Sequence, residues 1–129
     1  MLQYNVTPLI GFNDVKFGMD RSQVRSILGD PKREFKKTKF SKTTTDDYIS
    51  FHVFYNKENM FEAVEFFDDV EIKLGGDMIF PTSVATLNAG DYAFVADEDG
   101  LISLKYSIGV YAPNGKAESI LFGVKDYYL

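Results

Sequence analysis

Few residues of this chain could do chemistry. His52 is its single histidine and its only side chain with an ordinary pKa near neutrality, so a general base working at pH 7 would most simply be this one. It has no evident accomplice. The chain has no Cys and no second His, and no Ser stands in a Gly-x-Ser-x-Gly elbow, so no nucleophile–base pair with a histidine orienter is evident. The lack of Cys also excludes a disulfide framework, a thiolate nucleophile and any cysteine-ligated metal, and one His excludes a multi-histidine metal site. No catalytic residue, metal ligand set or cofactor is expected.

The carboxylates are more numerous. Glu62, Glu65, Asp68, Asp69 and Glu71 fall close together, with Glu58 and Asp77 at either end. Such groups could hold a hard cation or form the acid pair of a glycosidase, but strand alternation would expose many of them separately. Asp97-Glu98-Asp99-Gly100 has the composition of a calcium loop. An EF-hand, however, needs oxygen ligands at alternate positions over twelve residues and a closing bidentate Glu, whereas here a strand begins at Leu101, so a solvated turn is expected. Gly75-Gly76 and Gly109 do not make a phosphate-binding motif, since neither falls between a strand and a helix with the further glycines required.

What remains is charge as a means of binding. The chain has 129 residues and a net charge of −5, which disfavours a general nucleic-acid binder. Residues 31 to 44 carry six basic side chains against Glu34 alone, a net +5 that leaves −10 on the rest. With Phe35 and Phe40 this run could contact phosphates while stacking a base. A charged loop, or an edge strand kept from aggregating by Lys, is sufficient explanation, and nucleic acid is not the expected partner. The acidic groups, Glu62, Glu65, Asp68, Asp69 and Glu71 together with Asp97, Glu98 and Asp99, form the expected partner-binding surface, suited to fast association with a basic protein. Twelve Phe and eight Tyr exceed what one core of this size takes up comfortably. Some are therefore expected on an exposed sheet face, where aromatics serve as anchors.

The elements that must position these groups are mostly strands. One helix is clear: Asp20 reads as its N-cap with Gln23 as capping-box partner, Val24, Ile27 and Leu28 line one face, and Gly29 before Asp30-Pro31 ends it. Alternation from Ile102 to Tyr111 predicts a half-buried strand, which returns after Pro113-Asn114-Gly115 through Ile120, Phe122 and Val124. A similar hairpin joins Tyr48–Tyr55 to Phe61–Phe67 across Asn56–Asn59, and Val70, Ile72 and Leu74 add a third strand. Laid over each other, the hairpins match: Tyr55 precedes Glu62 and Tyr111 precedes Glu118 by seven residues, Val64 falls on Ile120 and Phe66 on Phe122. A shorter helix at 82–88 would be the counterpart of the first. The chain thus reads as one domain, 1–129, with an internal repeat of 15–74 and 75–129. Local alternation puts His52 on the face opposite Phe51 and Val53; the repeat register sets it against Ile108, on the core face.

The segment Gly18-Met19-Asp20-Arg21-Ser22-Gln23-Val24-Arg25-Ser26-Ile27-Leu28-Gly29-Asp30-Pro31 resembles the glycine, helix, Leu-Gly-x-Pro segment of SmpA/BamE-type lipoproteins and of the related β-lactamase-inhibitor-protein fold. The resemblance implies small helices packed on one face of an antiparallel sheet, a tandem of two such units as in the inhibitor, and use of the open sheet face to bind another protein.

The expected fold is α+β, a curved, mostly antiparallel sheet with one or two short helices on one face. The expected function is a non-catalytic protein-binding module. Its most concrete form is a cytoplasmic immunity protein that binds and neutralises a bacterial toxin, such as a basic nuclease. The alternative is a small-ligand-binding or regulatory domain with a Phe- and Tyr-lined pocket between helix and sheet. Met1–Pro8 lacks the basic and apolar regions of a secretory signal, and no apolar run approaches about 18 residues, so a soluble chain without membrane partners is expected. The oligomeric state is open, because a free sheet edge can pair with itself or with another protein.

Overall fold

Asp20 and Gln23 form the expected capping box: the Asp20 side chain accepts from the Gln23 backbone N–H at 2.9 Å, and Gln23 Oε1 accepts from the Asp20 N–H at 3.0 Å. In the computed structural model, which describes residues 2–67, 69–82, 84–88 and 90–129, the chain enters this helix after three strands, β1 (Leu2–Thr7), β2 (Gly11–Phe12) and β3 (Val15–Lys16). Helix α1 (Arg21–Leu28) ends at Gly29, whose φ of 84° few other residues accept and whose N–H donates to Arg25 O. The remaining elements are β4 (Arg33–Phe35), β5 (Thr45–Asp47), β6 (Phe51–Tyr55), β7 (Phe61–Phe67), β8 (Val70–Leu74), β9 (Asp77–Phe80), α2 (Val84–Asn88), β10 (Val95–Asp97), β11 (Gly100–Ser103), β12 (Ile108–Tyr111) and β13 (Ser119–Gly123). The fold is α+β, with its antiparallel pairs dominant.

The strands form two sheets where one was expected. The larger has the order β10-β11-β12-β13-β7-β6-β5-β4, every pair antiparallel, and the smaller has the order β3-β2-β1-β8-β9. β8 does not extend the β6–β7 hairpin. It leaves for the smaller sheet and pairs parallel with β1, from Leu2↔Val70 to Val6↔Leu74. Alternation fixes which side chains are buried, but not which sheet a strand joins. The predicted strand 102–111 is likewise two strands: Ser103 pairs with Ile108 around a turn at residues 104–107, where Ser107 has a φ of 53° and Ser103 Oγ accepts from Tyr106 N–H. That turn puts Ile102, the partner of Gly109, on the face opposite Ile108 and Val110.

One face of the large sheet carries Phe51, Val53, Val64, Phe66, Ile108, Val110, Ile120 and Phe122, all buried. The small sheet packs on it: Tyr4 of β1 meets Phe51 and Phe66 with ring centroids 5.4 and 5.2 Å apart, and Phe12 of β2 meets the same two rings at 5.7 and 5.3 Å. Helix α1 lies on that face too, turning Arg21, Val24, Arg25 and Leu28 to the protein and leaving Ile27, expected among them, 44% exposed. Among the described residues no helix is long and apolar enough to cross a membrane.

In the large sheet each helix is followed by four antiparallel strands, and the two sets abut where β7 pairs with β13, Glu65 opposite Leu121. The register also decides the face of His52. Val53 pairs with Val64, but Val110, rather than residue 109, pairs with Ile120, so one strand is a residue out of step and the match of His52 is Gly109. His52 stands opposite Glu65, half-buried on the face away from the core, as local alternation indicates.

Candidate docking face

The uncovered face of the large sheet is shaped by two missing side chains. Gly109 on β12 and Gly123 on β13 leave room that Tyr128 and Tyr127 occupy: a Cβ on Gly109 would overlap the Tyr128 hydroxyl, and one on Gly123 would lie 2.6 Å from Tyr127 Cγ. After β13 the chain turns, Tyr127 N–H donating to Val124 O at 3.0 Å, and lays the two rings edge to face at 5.3 Å. Burial pushes both phenols up; Glu62 and Glu65 add to the effect at Tyr127, and Tyr127, Glu65 and Asp97 add to it at Tyr128.

Beside Tyr128 lies a concavity of about 270 Å³. Ile102 and Leu121 give it an apolar lining, Tyr111 is a half-exposed rim, and Glu65, Asp97, Glu98 and Asp99 surround it. Asp97 pairs with Gly100, so Glu98 and Asp99 form a tight, exposed turn between β10 and β11. Glu65 is held by Ser119 Oγ at 2.8 Å. None of the four carboxylates forms an ion pair among the described residues. They are spread around a rim, and among the described residues no three carboxylate or imidazole groups converge to hold a metal.

The other predicted partner-binding residues lie elsewhere. Glu62, on β7, lines a separate groove with Lys37, Lys42 and Lys57. Asp69 accepts from Ser50 Oγ at 2.7 Å in the turn after β7, and Glu71 sits in the small sheet opposite Gln3. Asp68 lies outside the described residues.

Two constellations had no sequence signal strong enough to find them. At the β4 end of the open face, His52 is packed among Phe35, Phe54 and Phe67 at 5.1, 6.4 and 4.8 Å, while Arg33 lies over Phe35 and Lys37 over Phe54. His52 Nε2 is 3.4 Å from Asp47 Oδ1. Burial pushes the Asp47 carboxyl up, but Arg33 at 2.7 Å, the Ile49 N–H and His52 together hold it below the usual aspartate range. The open face is thus aromatic and cationic at one end and acidic at the other. The second constellation lies between α1 and the sheet: buried Asp46 accepts from Arg21, Arg25 and Tyr55. Burial, then Asp46, pushes the Tyr55 phenol up. Compared with known proteins, the chain matches no protein-family model, no curated protein and no solved structure.

Proposed function

We propose that this chain is a non-catalytic protein-binding module that docks through the open face of its large sheet, and that it serves as a cytoplasmic immunity protein covering a basic toxin domain such as a nuclease. The observation that carries this reading is the concavity in which Glu65, Asp97, Glu98 and Asp99, free of ion pairs among the described residues, surround an apolar lining next to Tyr111 and Tyr128. A Lys or Arg of a basic partner would lay its stem on Leu121 and Ile102 and its charge among the carboxylates, with the tyrosines as anchors. The reading includes an internal duplication and a curved sheet. Two helices each followed by four strands, meeting at Glu65 and Leu121, support the duplication and the likeness to the tandem β-lactamase-inhibitor-protein fold.

The test is to capture the tagged protein's partner, purify the pair and titrate it. A one-to-one complex with a basic domain whose toxic activity is lost on binding is the expected result. Within that complex, Asp97→Lys with Glu98→Lys and Asp99→Lys should slow association and weaken its salt dependence, whereas Asp69→Lys with Glu71→Lys should leave both unchanged. If the first variant associates like the parent, the acidic concavity is not the docking site.

A further inference from the structure

At the opposite end of the same face, a groove of about 430 Å³ runs between the β4–β5 loop and the β6–β7 turn. Lys37, Lys42 and Lys57 line it, and none of the three is in an ion pair among the described residues. Lys37 is held in place by the Phe54 ring, 4.1 Å from its ammonium to the ring centroid. Thr45, 2% exposed, lines the groove with a hydroxyl that bonds to nothing among the described residues, whereas the neighbouring Thr43 hydroxyl is committed to Tyr55 O at 2.8 Å. Among the described residues, Glu62 is the only acid in the lining.

Three ammonium groups against one carboxylate leave an excess of two positive charges around a free hydroxyl donor. That matches a phosphate monoester, which carries about −1.5 to −2 at pH 7 and three acceptor oxygens. A single carboxylate would leave the groove cationic, and a duplex nucleic acid would meet the negative field of the rest of the chain. We propose that this groove is a binding site for the phosphate group of a small phosphorylated molecule, Lys37, Lys42 and Lys57 supplying charge and Thr45 a directional hydrogen bond. The site shares no lining residue with the acidic concavity, so it stands or falls independently of the docking reading.

The test is a titration of the full chain with inorganic phosphate and with glucose 6-phosphate, followed by backbone amide NMR shifts, with sodium chloride at matched ionic strength as control. Saturable one-to-one shifts at Thr45 and in the 36–44 loop are expected. Lys42→Glu with Lys57→Glu, both exposed and harmless to the core, should weaken binding at least tenfold. Thr45→Val should weaken it several-fold, and Glu62→Gln should tighten it several-fold. Equal shifts with chloride overturn the proposal, as does unchanged affinity in the double lysine variant or in Glu62→Gln. A phosphoserine peptide that binds more tightly than glucose 6-phosphate overturns the small-molecule assignment and gives the site to a phosphorylated protein segment.

Discussion

Arg25 grips Asp46 through both carboxylate oxygens, Nε to Oδ2 at 3.0 Å and Nη2 to Oδ1 at 2.7 Å. Arg21 adds a bond of 2.8 Å to Oδ1 and the Tyr55 hydroxyl one of 3.1 Å to Oδ2, so a carboxylate wholly removed from water keeps its lone pairs occupied. Helix α1, which buries only Val24 completely, is thereby tied to the sheet by charge as much as by apolar contact. Asp46→Ala would leave two guanidinium groups facing a site built for an anion. The expected loss is about 3 kcal/mol of unfolding free energy in a urea titration, the scale of a broken buried pair. Arg25→Met should cost clearly less, because Arg21 still neutralises Asp46. A loss under about 1 kcal/mol for Asp46→Ala would mean that α1 is anchored by other means.

Acid should act on the same corner of the molecule. Arg25, then Thr44, holds the Glu34 carboxyl below its ordinary range, and at Asp47 the Arg33 and Ile49 bonds, with His52, outweigh the upward push of burial. Both groups release their protons more readily in the folded chain than in the unfolded one. Their contribution to stability is therefore present above the ordinary values of 4.5 and 3.8 and is lost as pH falls through the lower, folded values. Tyrosine fluorescence followed down the pH scale should show a flat stability plateau above 4.5 and a steep loss below 3.8. Arg33→Ala should move the acid midpoint upward; an unmoved midpoint would remove the Arg33–Asp47 pair from the account.

The two glycines beneath the tyrosines should respond unequally to alanine. At Gly109 the new methyl meets the far end of the Tyr128 ring, which can swing aside, whereas at Gly123 it meets Tyr127 at Cβ and Cγ, close to the backbone. Gly123→Ala is expected to cost about 1–3 kcal/mol, typical of overpacking, and Gly109→Ala less. In Gly109→Ala the near-ultraviolet circular dichroism of Tyr128 should fall while the melting temperature barely moves. Equal destabilisation by the two substitutions would show that the segment moves as one piece.

Loss of the helix cap is a smaller effect. Asp20→Ala removes the acceptor for the Gln23 N–H and should lower stability by about 1 kcal/mol, measured by the same urea titration. Asp20→Asn, which keeps the acceptor, should recover most of it.

Local chemistry was legible where a few neighbouring residues decide the outcome. The cap at Asp20, the stop at Gly29, the β6–β7 and β12–β13 hairpins and the turn at Glu98-Asp99 all depend on short-range patterns. The smaller sheet was not legible, because β1 pairs with β8 across nearly seventy positions and its own residues, Leu2-Gln3-Tyr4-Asn5, alternate without a strong apolar face. The break in 102–111 has no local signal, because a four-residue turn rich in Leu and Tyr continues the look of a strand. Asp46 reads as one acid among nineteen; nothing local shows that two arginines one helical turn apart will close over it. Of the acidic surface, Glu65 and Asp97–Asp99 meet although more than thirty residues separate them, while Glu71, close to Glu65 in sequence, goes to the other sheet.

The pairing of β7 with β13 also bears on how the chain is made. Until the ribosome has delivered β13, β7 presents Val64, Glu65 and Phe66 along a bare edge, since the strand that covers it has not been synthesised. The nascent chain must keep that edge unoccupied until β13 arrives. In a crowded refolding mixture, β13 of one molecule could satisfy β7 of another in the register of Glu65 and Leu121. The misassembled product to look for is therefore a domain-swapped dimer, whose strands would be paired as in the monomer and whose exchange back would require the seam to open.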